Sequence, residues 1–200
     1  MNAVRNINKI FKLATPEEMR DGVVWYTNAQ STAKRIAIMH DMPLRIVVGV
    51  MAALSPNNRW ERNIENTGTL IAAYLDGDSI ESFKVSCYNA MKAKAWRMMD
   101  TMPATDEEVL TILNGQKIKS FFSNIMGYDT CTVDGHALNI ARAERNVLTS
   151  DKTNIGKKLY AELQDAYRRA AKKATVKGRP LKAFEMQAIT WVVWKRIHAI

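Results

Sequence analysis

Residues 113–121 read LNGQKIKSF, and residues 132–137 read TVDGHA. A helix predicted to end where the first stretch begins, and another predicted to begin at about Gln116, leave room only for a tight hairpin. The second stretch places the acid Asp134 at the start of a further helix, directly after a short apolar run. The two stretches therefore place Lys119 and Asp134 near neighbouring helix starts, and the rest of the chain is interpreted as their scaffold.

Helix-start signals recur along the chain. Thr15 precedes Pro16 and Glu18, and Thr105 precedes Glu108, so each threonine is predicted to cap a helix and each glutamate to complete a capping box. Apolar residues recur at helical spacing, and no segment favours a strand over a helix. We predict helices over residues 15–40, 44–54, 61–74, 82–100, 105–113, 135–148, 154–173 and 181–197, and one that begins at residue 116.

These signals predict an all-α fold of about 8–10 helices. At 200 residues the chain has room for one sizeable core or two small lobes. We expect a single all-helical domain over residues 1–200, two-lobed, with the hairpin at about residues 106–126. The predicted cleft between the lobes is lined by Asn57, Asn58, Lys119 and Asp134.

The formal net charge of +9 indicates a polyanionic partner. The cations cluster, because residues 168–182 contain no acid. The seven basic residues of this segment are Arg168, Arg169, Lys172, Lys173, Lys177, Arg179 and Lys182. We interpret them as a patch that faces phosphates. The alternative, cations that suit the negative end of a helix dipole, explains Lys172 and Lys173 but not the loop cations.

Composition also narrows the class of protein. No window approaches the roughly 20 apolar residues of a membrane span, and no secretory signal begins the chain, so a cytoplasmic protein without a membrane partner is expected. Cys87 and Cys131 are too few for a cysteine cluster, and with three histidines a metal site is not expected. Both cysteines are predicted to be reduced thiols in the core, and no cofactor is predicted.

The hairpin, the TVDGHA segment and residues 53–58, ALSPNN, together resemble the helix-hairpin-helix DNA glycosylase superfamily, whose fold is that of endonuclease III. The resemblance covers about residues 43–146 and looks closest to phage-type and actinobacterial members without an iron–sulfur cluster. It implies a hairpin glycine at Gly115, a Schiff-base nucleophile at Lys119 and a catalytic carboxylate at Asp134. Two positions depart from the family pattern, Asn114 for its proline and Lys117 for its second glycine.

The resemblance implies an enzyme that cleaves the N-glycosidic bond of a nucleotide flipped out of duplex DNA, with possible AP-lyase activity through Lys119. The resemblance makes Asn57 the candidate wedge that fills the gap left by the base, and we predict that His136 and Trp60 contact the substrate. The residues predicted to contact DNA are Gly115, Gln116, Lys117, Asn57, Asn58, Lys172, Lys173, Lys177 and Arg179. If a phage encodes the chain, the compartment is the host cytoplasm.

Other interpretations stay open. A glycosylase-like enzyme that modifies thymine in place needs Asp134 but not Lys119, and a non-catalytic DNA-binding protein keeps the hairpin for phosphate contact alone. Residue by residue, Asp134 before a glycine is also an ordinary helix cap, Lys119 is also an ordinary solvated lysine, and His136 is also a hydrogen-bonded first-turn residue. The Asn-rich turn at residues 57–58 is also explained by unusual backbone angles alone.

Overall fold

The computed structural model describes residues 2–148, 154–176 and 178–199. Over these residues it contains ten helices and one two-stranded sheet, which confirms the predicted all-α fold. The helices are α1 (Ala3–Phe11), α2 (Pro16–Met39), α3 (Leu44–Ala53), α4 (Trp60–Leu75), α5 (Asn89–Thr101), α6 (Asp106–Leu113), α7 (Gln116–Met126), α8 (Gly135–Arg142), α9 (Lys157–Lys172) and α10 (Ala183–His198). The strands β1 (Thr175–Val176) and β2 (Arg179–Pro180) pair antiparallel between α9 and α10.

The chain divides into two compact units. Unit 1 comprises Met1–Tyr26 and Gly127–Ile200, and unit 2 comprises Thr27–Met126. Unit 1 therefore contains α1, the first part of α2, α8, α9, the small sheet and α10. Unit 2 contains the remainder of α2 and α3 to α7.

The core of unit 1 is formed where α10 packs on α1, α8 and α9. α1 turns Ile7 and Ile10 into this core, which also receives Leu163 and Tyr167 from α9. α2 approaches α10 closely at Gly22, because a Cβ built there would lie 2.4 Å from Cγ1 of Ile189. Only a glycine lets two helices meet at this distance without a shift.

Unit 2 is organised around α3, which packs against α4, α5, α6 and α7. Its residues from Ile46 to Ala53 are all buried, as the nearly continuous apolar run predicts. The neighbouring α4 is joined to it by a buried hydrogen bond, in which Nδ2 of Asn63 donates to the Met51 carbonyl at 3.1 Å. A central helix with apolar residues on every side requires neighbours on every side, and unit 2 supplies them.

Both predicted capping boxes are present. The Glu18 amide donates to Oγ1 of Thr15 at 3.2 Å, and the Thr15 amide donates to Oε2 of Glu18 at 2.8 Å. Thr105 and Glu108 make the same reciprocal pair at the start of α6. These local signals fix the starts of α2 and α6.

Several sequence predictions were wrong in detail. The predicted helix over residues 82–100 begins only at Asn89, because the preceding loop is held by long-range contacts instead. Nζ of Lys92 donates to the carbonyls of Ile80 and Phe83, both at 2.7 Å. The predicted helix over residues 135–148 ends at Arg142, where Ala143 takes a left-handed conformation.

Three further differences concern α1, the small sheet and one cysteine. α1 was not predicted, and the two short strands contradict the prediction of no strand. Cys131 is buried as expected, but Cys87 is only half-buried, because it lies in the loop before α5. Across the described residues no single helix has both the length and the apolar character to cross a membrane, and the bent pair α2 and α3 meets that test only when counted together.

Candidate nucleic-acid interface

The helical hairpin α6–α7 is formed as predicted, with only Asn114 and Gly115 between the two helices. Asn114 closes α6 in a left-handed conformation with φ of 45°, and its amide donates to the Leu110 carbonyl at 3.2 Å. Nζ of Lys94, on α5, donates to the Leu113 carbonyl at 2.6 Å and satisfies a second carbonyl at the helix end. The end of α6 is therefore held by one hydrogen bond within the hairpin and by a second from α5.

Gly115 is the second residue of the connection between α6 and α7. The residue in the left-handed conformation is Asn114, not the glycine, because asparagine tolerates that region better than most side chains. Gly115 instead provides space: a Cβ there would lie 3.2 Å from Cγ1 of Ile118. Its carbonyl accepts the Lys119 amide at 2.9 Å and so begins the hydrogen-bond ladder of α7.

The first turn of α7 has the electrostatic character that an anion requires. It contains Gln116, Lys117 and Ile118, and no acid. The first amides of a helix have no partner inside the helix, and the helix dipole adds partial positive charge there. Lys117 and Lys119 are half-buried residues near the start of α7, so the charge of two lysines adds to the peptide dipole at this end of the helix.

Trp60 lies against the same hairpin helix within unit 2. Its ring meets the Phe121 ring edge-on, with the centroids 6.4 Å apart, and it is half-buried. Trp60 begins α4, so the loop before it is anchored to α7 by an aromatic contact. The structure therefore brings the predicted substrate residue Trp60 and the hairpin together in one unit.

The two asparagines of this loop have different roles. Asn57 is exposed and has φ of 52°, which is the unusual backbone angle that the structural interpretation of this turn requires. Nδ2 of Asn58 donates to the Leu54 carbonyl at 3.1 Å and caps the end of α3. Asn58 is thus a positioning residue in this loop, and Asn57 is the exposed side chain.

Asp134 is the N-cap of α8 in unit 1. Its Oδ1 accepts the Ala137 amide at 2.8 Å, and the residue is half-buried. His136 follows in the first turn, and its Nδ1 is buried and has no hydrogen-bond partner within the described part of the chain. His136 is a first-turn residue as expected, and its Nδ1 does not take part in the expected hydrogen bonding. The acid and the imidazole begin one helix.

Three buried groups of unit 1 lie close enough to Asp134 to be affected by its charge. Burial raises the pKa of the Cys131 thiol and of the Tyr26 and Tyr167 phenols, and the Asp134 carboxylate adds to each rise. These three groups therefore stay protonated at neutral pH. Charge interactions are stronger beside buried groups than in water. The Asp134 carboxylate would therefore stabilise a nearby cation more effectively than it would in open solvent.

Some cations of the basic stretch pair with acids, whereas for others no ion pair is found among the described residues. Nε of Arg169 lies 2.8 Å from Oδ2 of Asp165, on the same helix. Nη2 of Arg179 lies 2.6 Å from Oε1 of Glu185, whose side chain is only 5% exposed. The prediction of Arg179 as a DNA contact did not foresee this partner, which gives the arginine a structural role. Lys172 and Lys173 are exposed at the end of α9, and Lys177 lies outside the described residues.

The predicted site residues therefore fall into two sets. Unit 2 contains Asn57, Asn58, Trp60, Gly115, Gln116, Lys117 and Lys119, and unit 1 contains Asp134, His136, Lys172, Lys173 and Arg179. Lys119 therefore belongs to unit 2 and Asp134 to unit 1. Sequence reasoning missed Lys94, which supports the hairpin, and Arg5 on α1, for which the helical spacing of Ala3, Ile7 and Ile10 was the available signal.

The chain is an all-α protein of two compact units, with a helical hairpin whose second helix begins without an acid and with a basic surface. The chain belongs to the family of unknown function DUF7178, whose model matches residues 1–198. Neither a curated protein nor a solved structure matches it.

Proposed function

We propose that the protein is a DNA glycosylase-like enzyme that acts on a nucleotide flipped out of DNA. The observation that carries this proposal is the α6–α7 hairpin, which has a two-residue connection and no acid in the first turn of α7. Helix N-termini of this kind favour phosphate groups, and Lys117 and Lys119 increase that preference. The resemblance of the hairpin and of the segment around Asp134 to the helix-hairpin-helix glycosylases supports the same function.

Asp134 is the residue proposed for the chemistry. When an N-glycosidic bond breaks, positive charge develops on the sugar, the base leaves with the electron pair of the bond, and a water oxygen bonds to the anomeric carbon. A carboxylate beside the sugar stabilises that charge or accepts the proton of the water. The Ala137 amide donates to Oδ1 of Asp134, and a carboxylate has a second oxygen to offer.

Lys119 is the proposed second participant. In a lyase reaction its neutral amine would attack the anomeric carbon and displace the base, which leaves with the electron pair of the N-glycosidic bond. Cleavage of the bond between C1′ and O4′ then opens the sugar to a Schiff base, and loss of a C2′ proton eliminates the 3′ phosphate. The base must first leave the helical stack, at a cost of a few kcal/mol. Contacts of the hairpin with phosphates, and Asn57 in the vacated space, would offset that cost.

The test is a screen of duplexes that each contain a different damaged or modified base, with strand nicking after alkali as the readout. Asp134→Asn should lower base release about 100-fold or more. Asparagine is as good an N-cap as aspartate, so the fold should be retained, and circular dichroism checks this. Unchanged release by Asp134→Asn would refute the proposed role.

Borohydride trapping separates the two versions of the chemistry. A covalent adduct with wild type that is lost in Lys119→Gln supports a Schiff base at this lysine. Base release without an adduct leaves Asp134 as the catalytic residue and removes Lys119 from the mechanism.

A non-catalytic DNA-binding protein is the second candidate function. It is favoured by the hydrogen bond from the Ala137 amide to Asp134, because an N-cap alone explains an aspartate at this position. Binding of duplex DNA without product from any substrate in the screen would support it. In that case Asp134→Asn should bind DNA as wild type does.

A further inference from the structure

A groove of about 770 Å³ lies between α1 and α9 within unit 1. This volume falls in the range of about 300–1,000 Å³ that is usual for ligand sites. Its lining residues are Asn2, Ala3, Val4, Arg5, Asn8, Glu162, Ala166, Arg169, Lys172 and Lys173. The two helices each supply one face, and most of the lining residues are polar or charged.

The charge of the groove is predominantly positive. Arg5 faces it from α1, and Arg169, Lys172 and Lys173 from α9. On α9 these three lie at helical neighbour positions, within about one turn of 5.4 Å. Glu162 is the acid in the lining, and Arg169 is already paired with Asp165. The attraction for an anion therefore comes chiefly from Arg5, Lys172 and Lys173.

The start of α1 adds to this field. Its first turn contains no acid, and the side chain of Asn2 makes no capping hydrogen bond. By contrast, the starts of α2 and α6 each have glutamates in the first turn. The first turn of α1 lines the groove, so the positive end of the α1 dipole adds to the attraction for an anion, and Glu162 of α9 opposes it.

We propose that the α1–α9 groove binds the phosphate backbone of a DNA strand, in addition to the hairpin of unit 2. The identity of the polymer rests on the proposed function, whereas the groove and its charge do not. Asn2 and Asn8 suit sugar and phosphate oxygens as hydrogen-bond donors. The groove selects no base, because phosphate contacts position a protein on DNA without specifying sequence.

A lipid surface is disfavoured by the packing of α1. A helix that lies on a bilayer buries its apolar face among the acyl chains. The apolar face of α1, with Ala3, Ile7 and Ile10, is already buried in the core of unit 1. Besides Ala3 and Val4, α1 presents the polar Asn8 and the basic Arg5 to the groove.

The experiment measures duplex binding by the full chain as a function of salt. The test variant is Arg5→Gln/Lys172→Gln/Lys173→Gln. Each phosphate contact on B-DNA contributes about 0.9 to the slope of log affinity against log salt, so this variant should lower the slope by about 2–3. The matched control is Lys9→Gln/Lys157→Gln/Lys158→Gln, which removes the same charge from exposed positions of α1 and α9 outside the groove lining. Its slope should stay close to that of wild type.

Glu162→Gln provides a test that misfolding cannot imitate. It removes the carboxylate of the groove, so duplex binding should become tighter than in wild type. An equal loss of slope in test and control variants, or no gain from Glu162→Gln, would overturn the proposal. A third arm uses phosphatidylserine vesicles: loss of vesicle binding with an unchanged DNA slope would also overturn it, in favour of a lipid headgroup.

The outcomes distinguish the groove from the enzymatic function. Groove variants with a wild-type DNA slope and normal base release refute the groove and leave the function standing. A reduced slope in the test variant, with no base release from any substrate by wild type, supports the groove and refutes the enzyme.

Discussion

Gly22 is the position where a single methyl group should have the largest effect on unit 1. A Cβ at this residue would lie 2.4 Å from Cγ1 of Ile189 and 2.7 Å from the backbone nitrogen and Cα of Ile189. A side chain can rotate away from such a contact, but the backbone of α10 cannot. Gly22→Ala therefore forces α2 and α10 apart.

The magnitude follows from two opposing terms. In the interior of a helix alanine is favoured over glycine by about 1 kcal/mol. Overpacking a well-packed core costs about 1–3 kcal/mol, and contact with backbone places this site at the upper end. The net loss in the free energy of unfolding should be about 2 kcal/mol, which lowers the melting temperature by roughly 4–8 °C in a chain of this size.

The assay is thermal unfolding followed by far-ultraviolet circular dichroism, with Gly68→Ala as the matched control. Gly68 lies inside α4, and a Cβ built there meets no atom within 4 Å. There the helix preference acts alone, so Gly68→Ala should raise the melting temperature slightly. A melting temperature of Gly22→Ala equal to that of wild type, or above it, would show that α2 and α10 are not in close contact.

Two further predictions concern ion pairs of unit 1. Arg196, whose Nε lies 2.6 Å from Oε1 of Glu18, lowers the pKa of the Glu18 carboxyl. A lowered pKa adds stability above the unfolded value of about 4.3, and this is lost as pH falls through the folded pKa. The free energy of unfolding, measured with urea, should therefore fall more steeply below about pH 4.3 in wild type than in Glu18→Gln. The control Glu17→Gln should behave as wild type. Arg179→Gln should cost about 1–2 kcal/mol, because it leaves the buried carboxylate of Glu185 without its guanidinium, yet leave the salt slope of DNA binding unchanged. A lower slope in Arg179→Gln would show that this arginine contacts phosphate.

The features that were predicted correctly depend on neighbours in the sequence. The capping boxes of Thr15 and Thr105 join residues three positions apart, so the local sequence contains the whole interaction. The hairpin between α6 and α7 follows in the same way from two residues between two helical patterns. The burial of α3 was predictable because an apolar run on every side has no other stable location in a folded chain.

The features that were missed depend on distant partners. The loop before α5 is held by Lys92 and by the Ser86 amide, which donates to Oδ1 of Asn66 at 3.1 Å. Nothing in the local pattern distinguishes this loop from a helix. The basic stretch likewise gave no sign that Arg179 pairs with Glu185 across the start of α10, and the groove requires α1 and α9, which are far apart in the sequence.

The division of the chain has a consequence for the order of folding. Unit 2 is one continuous segment, Thr27–Met126, whereas unit 1 is completed only by residues after 126. In unit 1, Nδ2 of Asn6 donates to the Ala141 carbonyl, a separation of 135 positions, and Glu18 reaches Arg196 across 178. Contacts this distant form slowly, because the loop entropy is lost before they stabilise anything. During synthesis on the ribosome, all residues of unit 2 therefore emerge before unit 1 is complete. The apolar face of α1 stays exposed until α8 to α10 emerge.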